Sequence, residues 1–357
     1  MKNKTSLLIL ITIVILSSCS NIRKNSFIGV KYKDSNWNKS IKSNTNKYDE
    51  ILAKADNYDF IYSVLIAQHD SLLIEKYYNG ASDTVAFNIK SVTKSITSGL
   101  VGIAIDKGII EDIDLKLIDL LPEYFQNQEH KDKAEITIRE LLTMRAGYGF
   151  HSTRDIFETD DWIENILNYK LDFSPGEQFC YAACESHLLS AIITKVSNMS
   201  TEEFARKYLM DSLNIKIAKW KKDPKNINNG NADLYMTSRD LLTYGQLFLN
   251  KGIYDGEQLI SSDWINKSIT VSNSNLTRCE DSKIIPFSGF GYHWWLENLN
   301  NHKAVIASGF GGNFIIIIPD LDLTIVTNAN TNVSWQENGE NVKKILNLIV
   351  ELIKTIE

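Results

Sequence analysis

Ser91-Val92-Thr93-Lys94-Ser95-Ile96-Thr97-Ser98-Gly99-Leu100 is the stretch on which the reading of this chain turns. Apolar residues recur at Val92, Ile96, Leu100, Ile103 and Ala104, a spacing that predicts an amphipathic helix from Ser91 to about Lys107, closed by Gly108 as a C-terminal cap. A spacing of three puts Ser91 and Lys94 on one helix face, with Cβ atoms about 5–6 Å apart, so the amine can reach the hydroxyl. Ser91 also sits at the positive end of the helix dipole, where an alkoxide or oxyanion is favoured. To take a proton near neutral pH, Lys94 must fall about 3 pKa units from a reference near 10.4. That is roughly 4 kcal/mol of burial and neighbouring charge, which a closed cleft can supply. Most Ser-x-x-Lys pairs are solvated helix faces. Here no other serine has a lysine three residues later, and the pair opens a helix.

Outward from this segment, residues 61–67 and 71–77 are β-prone runs separated by Gln68-His69-Asp70, a hairpin pattern. The stretch from about 115 to 249 reads as mostly helical, with periodic segments at 138–144, 162–167, 186–196, 201–209 and 238–249. Pro175-Gly176 and the Asn/Gly-rich residues 226–231 punctuate it. Strands return as continuous apolar runs at 304–308, 314–318 and 323–327, joined by Gly309-Phe310-Gly311-Gly312 and by Pro319-Asp320-Leu321-Asp322. Runs this continuous suit central strands covered on both faces. An amphipathic helix at 342–356 closes the chain. Strands at both ends with helices between predict an α/β fold: one antiparallel sheet from the N- and C-terminal segments, flanked by helices, with a helical lobe inserted. At 357 residues, 43% hydrophobic and 23% charged, the chain can bury a large core. A net charge of −6 supplies no general attraction for phosphate backbones, so nucleic acid is excluded as a partner.

The first nineteen residues read as an address. Lys2 and Lys4 precede an apolar run from 7 to 16, about half the length a bilayer span needs, and Leu16-Ser17-Ser18-Cys19 ends it. This end resembles the lipobox of bacterial lipoproteins, which implies cleavage before Cys19, lipid on its sulfur and a place in the cell envelope. An ordinary secretory signal or an uncleaved anchor are the other readings, and each also exports the chain. Residues 20–47, rich in Asn, Lys and Ser, read as a flexible tether, and 48–357 as the domain. The remaining cysteines, Cys180, Cys184 and Cys279, are odd in number and lack metal-ligand spacing, so they are expected to be small buried thiols. The six histidines are scattered. No metal or organic cofactor is expected.

The Ser91-Val92-Thr93-Lys94-Ser95 segment does not stand alone. Asp106-Lys107-Gly108-Ile109-Ile110-Glu111-Asp112, Leu121-Pro122-Glu123, Glu140-Leu141-Leu142-Thr143-Met144, Pro175-Gly176-Glu177-Gln178-Phe179-Cys180-Tyr181, Met236-Thr237-Ser238-Arg239-Asp240-Leu241 and Gly289-Phe290-Gly291-Tyr292-His293-Trp294-Trp295 follow in order. From about residue 61 to the C-terminus the chain resembles the serine β-lactamase and penicillin-recognising hydrolase family. It is most similar to the class C-like branch of carboxypeptidases, esterases and 6-aminohexanoate-dimer hydrolases.

The resemblance implies that Ser91 is the nucleophile, that Lys94 activates it, and that Tyr181 takes the serine proton and returns it to the leaving group. It implies an oxyanion hole from the backbone NH groups of Ser91 and Phe310, and a cleft edge from Ala307-Ser308-Gly309. Tyr148, Ser308 and Gly309 are the expected substrate contacts, with His151 and Trp162 as further candidates. Two positions depart from the family pattern. Ala183 stands where Tyr-x-Asn has its Asn, and Ala307 where the third motif has Lys or His. These groups hold the amide and carboxylate of β-lactams and D-alanyl-D-alanine peptides, so the expectation is a broader esterase or amidase acting on a small ester, amide or peptide-like substrate. A true β-lactamase or carboxypeptidase, and a non-catalytic binder of cell-wall fragments, are the alternatives.

Overall fold

The apolar runs at both ends of the chain pair with each other, and the sheet they form carries the site. The computed structural model describes residues 27–29, 37, 46–126, 130–149, 159–273, 276 and 287–357. In chain order the strands are β1 (Phe27–Gly29), β2 (Ile61–Gln68), β3 (Ser71–Tyr77), β4 (Val85–Asn88), β5 (Lys219–Trp220), β6 (Leu234–Thr237), β7 (Ile253–Tyr254), β8 (Glu257–Gln258), β9 (Gly289–Phe290), β10 (Trp295–Leu299), β11 (His302–Gly309), β12 (Asn313–Ile318) and β13 (Leu323–Ala329). The helices are α1 (Asn46–Asp56), α2 (Val92–Asp106), α3 (Leu117–Leu120), α4 (Ile138–Leu142), α5 (Trp162–Asn168), α6 (Ala183–Ser197), α7 (Thr201–Ala205), α8 (Ser238–Leu249), α9 (Ser262–Ser268) and α10 (Trp335–Ile356).

Seven strands form the main sheet in the order β3-β2-β13-β12-β11-β10-β9, every pair antiparallel. Its central strands are covered on both faces, as the continuous runs require. Along β12, Phe314, Ile316 and Ile318 enter one core with α1 and α10, while Ile315 and Ile317 enter the other with α2, α6 and α8. This is the predicted α/β layout with its inserted helical lobe. The lobe holds α3 to α7, and the segment read as one helix at 201–209 is α7 followed by a π-helical turn at Arg206–Met210.

Three features differ from the expectations. First, α2 is no surface helix: every residue from Val92 to Ala104 is buried, with α6 on one side and β11 on the other. Second, the residues expected to be a tether contribute structure. Phe27–Gly29 pairs with β4 in a small sheet of order β1-β4-β6-β5, and the Trp37 indole donates to Thr243 Oγ1 at 2.9 Å. Third, Cys180 is disulfide-bonded, whereas Cys184 is a buried thiol as expected. An odd count permits one pair, and pairing depends on a fold-level approach that spacing does not reveal. Cys19 and the signal segment, together with Cys279 and His151, lie outside the described residues.

Candidate active site

Ser91 is carried on a sharp strand-turn-helix corner. The chain leaves β4, Ile89 N donates to Leu234 O at 3.0 Å, and Lys90 takes the left-handed conformation (φ 50°) that few non-glycine residues adopt. Asn88 holds this corner by accepting from Lys90 N at 3.1 Å on its Oδ1 and donating to Asp233 Oδ1 at 2.8 Å through its Nδ2. The next residue, Ser91, is helical (φ −67°, ψ −7°) and partly exposed, with its hydroxyl at the mouth of α2.

Lys94 is 2% exposed, and its Nζ lies 2.9 Å from Ser91 Oγ, 3.1 Å from Asn231 O and 2.5 Å from Asn231 Oδ1. Burial drags the amine down from its ordinary value to about 7, against a small opposing effect of Cys184. A neutral lysine has two N–H bonds and one lone pair. Two acceptors on Asn231 take the N–H bonds, which turns the lone pair toward the Ser91 hydroxyl.

Asn231 was not singled out from the sequence. It lies in the Asn/Gly-rich run read as punctuation, yet that run is anchored deep in the lobe. Thr97 Oγ1 donates to Gly230 O at 3.1 Å, Asn231 N donates to Asn229 Oδ1 at 3.1 Å, and the Trp220 indole donates to Asn229 O at 2.8 Å. A Cβ on Gly230 would stand 2.1 Å from Ser186 O, so only glycine lets the run approach α6 this closely. The amide absent at Ala183, the first residue of α6, is thus supplied to the lysine from a different segment.

Tyr181 lies near the same hydroxyl, just before α6. Burial pushes the phenol up to about 12, partly offset by the neighbouring Ser91, so it holds its proton at neutral pH. Its ring lies 5.2 Å from Lys94 Nζ. Trp295 stacks on the ring at 5.3 Å and 29°, and Phe290 meets it edge-on at 6.4 Å and 90°. Trp295 therefore fixes the tyrosine plane.

His293 grips α2 from beneath. Its two ring nitrogens face Lys94 O and Leu141 O, each at 3.1 Å, and its own carbonyl accepts from Ser95 Oγ at 2.6 Å. Burial lowers the imidazole to about 4, so the ring is neutral and donates to one of the two carbonyls.

The fourth wall is the end of β11. A Cβ on Gly309 would meet Ile89 O at 2.3 Å, so the missing side chain lets the strand lie against the residues preceding Ser91. Among the described residues, neither Ser91 N nor Phe310 N donates to another backbone group. Ser308 is partly exposed beside them, and Ala307 is wholly buried. The structure thus gathers Ser91, Lys94, Tyr181, Ser308, Gly309 and Phe310 at one place. It does not bring Tyr148 there. That ring is completely buried, its hydroxyl has no hydrogen-bond partner among the described residues, and it packs in the core, so it offers no surface to a substrate. Trp162 is likewise inside the lobe, against His187 at 5.1 Å.

The family model described as Beta-lactamase matches residues 62–347. The chain belongs to the beta-lactamase family. Among relatives of this family, the 6-aminohexanoate-dimer hydrolase of Paenarthrobacter ureafaciens is 23% identical over 284 residues, covering 73% of this chain and 70% of the relative. Two solved structures share the fold at lower identity. The class C beta lactamase of Rhodobacter sphaeroides gives a TM-score of 0.62 at 15% identity, covering 87% of this chain and 99% of that one. EstCE1, a hydrolase with promiscuous acyltransferase activity, gives 0.66 at 14%, covering 86% and 98%. The protein is a beta-lactamase-family hydrolase.

Proposed function

We propose that the protein is a serine hydrolase that cleaves ester or amide bonds of small substrates through an acyl-enzyme on Ser91. The observation that carries this reading is the Lys94 amine, 2.9 Å from Ser91 Oγ with both acceptors of Asn231 behind it. In this reading Lys94 takes the serine proton as Ser91 Oγ attacks the carbonyl carbon. The tetrahedral oxyanion lies between Ser91 N and Phe310 N, where one donor contributes roughly 10²–10³ in rate. Tyr181 gives its phenolic proton to the leaving alkoxide or amine, and the proton held by Lys94 restores the phenol. Water then enters by the same route in reverse and releases the acid. The substrate class follows from the missing cation at Ala307 and the missing amide at Ala183, together with the likeness to a 6-aminohexanoate-dimer hydrolase and to EstCE1.

Intact-mass analysis after a fluorophosphonate or an activated ester tests the reading. One adduct on Ser91, lost in Ser91→Ala, is expected. Labelling that survives the substitution places the nucleophile elsewhere. For location, we propose export with lipid on Cys19, supported by the Leu16-Ser17-Ser18-Cys19 end of the apolar run. Incorporation of labelled fatty acid that disappears in Cys19→Ala is the expected result.

A further inference from the structure

The corner that carries Ser91 and the segment that holds Lys94 meet at one carboxylate. Asn88 Oδ1 accepts from Lys90 N at 3.1 Å, which fixes the orientation of its amide, and its Nδ2 donates to Asp233 Oδ1 at 2.8 Å. Asn229 is fixed in the same manner. Its Oδ1 accepts from Asn231 N at 3.1 Å, and its Nδ2 donates to the second carboxylate oxygen, Asp233 Oδ2, at 3.3 Å. Asn88, Asn229 and Asn231 are all buried. Asp233 therefore faces an N–H donor on each side. A carboxylate accepts from both, whereas an asparagine would turn its own NH2 toward one of them. Asp233 takes the left-handed conformation (φ 62°) that Asp tolerates, and its backbone is held by Lys221 N, which donates to Asp233 O at 3.1 Å. The polar path from the nucleophile corner to the base is thus continuous, through Asn88, Asp233, Asn229 and Asn231 to Lys94 Nζ.

Resting on the acyl-transfer reading above, we propose that Asp233 is a positioning residue for that reaction. Its two carboxylate oxygens tie the corner carrying Ser91 to the segment holding Lys94, and so set the distance between nucleophile and base. The acceptors that turn the Lys94 lone pair toward Ser91 Oγ are only as well placed as Asn231, whose own N–H is held by Asn229. Releasing Asn229 lets the base drift from the hydroxyl, and a misplacement of about 1 Å between reacting groups costs up to a hundredfold in rate. Substrate binding takes place on the other side of Ser91 and is left as it is.

The test uses the full chain and the burst with p-nitrophenyl acetate, read as a rate constant and a half-saturating concentration, with the Ser91 adduct followed by intact mass. Asp233→Asn keeps the bond to Asn88 but sets NH2 against NH2 at Asn229, and the burst should slow about tenfold at an unchanged half-saturating concentration. Asp233→Gly accepts the positive φ and loses both bonds, so it should slow the burst about a hundredfold. The double variant Asn229→Asp/Asp233→Asn places a donor opposite an acceptor at every link again, and its rate should return to within about threefold of the parent. A role in stability alone would lower the urea midpoints of the variants and leave the burst rate of the folded protein at the parent value. If the parent is acylated on Ser91 and both Asp233 variants match its burst rate, the positioning role is overturned and the acyl-transfer reading stands. A folded double variant no faster than Asp233→Asn also overturns it. If the parent leaves no adduct on Ser91, both fall.

Discussion

The two sides of Ser91 are built on opposite principles. On one side Lys94, Asn231 and His293 are nearly inaccessible, and every polar contact of the lysine is assigned. On the other, Ser308 and Phe310 are partly exposed. The buried side sets a protonation state, because removing water from an amine disfavours its charge. The open side accommodates a ligand. Substitutions on the buried side should alter the chemistry for every substrate, and those on the open side should alter the choice among substrates.

The largest effect should come from Lys94→Ala. Loss of the base lowers kcat/KM for every ester substrate by roughly 10²–10⁴, measured by steady-state kinetics. Asn231→Ala comes next. Without its side-chain acceptor one Lys94 N–H is left unpaired in a buried site, and activity should fall roughly tenfold to a hundredfold across all substrates. The sign of the accompanying pH effect follows from the bond lost. Asn231 Oδ1 accepts more strongly from an ammonium than from an amine, so its removal disfavours the charged form, and the ascending limb of kcat/KM moves to lower pH. A limb that moves upward would show that Asn231 acts in some other way.

Trp295→Leu should be weaker, about three- to tenfold, from loosening of the Tyr181 ring. It should reduce kcat more than it raises KM, because the indole positions the phenol and stays clear of the substrate.

The same contrast accounts for what could be read from the amino-acid order. The hairpin β2–β3, the helix after Ser91 and the three C-terminal central strands carry their signals within a few neighbouring residues, and each lies where its periodicity puts it. Short-range spacing also brings Ser91 and Lys94 together. Asn231 is 137 positions from Lys94, and nothing local distinguishes it from a loop asparagine. Tyr148 and Tyr181 show the limit from the other direction. Both were expected at the cleft, but only Tyr181 precedes a helix whose first turn faces Ser91, whereas Tyr148 points into the lobe core. Helix α10 begins seven residues before the periodic run at 342, because its first two turns are polar apart from Trp335 and include Gly339. The Ser334-x-x-Glu337 box was its readable start signal. Helix α1 presents only Tyr48, Leu52 and Ala55 as buried apolar residues and becomes stable by packing on α10.

The most direct test is the pH dependence of Ser91 acylation, read as the burst with p-nitrophenyl acetate in the parent and in Lys94→Ala. A neutral amine as the base requires a rate that rises with pH to a plateau, with a midpoint near 7, and a limb that disappears together with most of the burst rate in the variant. An unchanged limb and burst in Lys94→Ala would contradict the account.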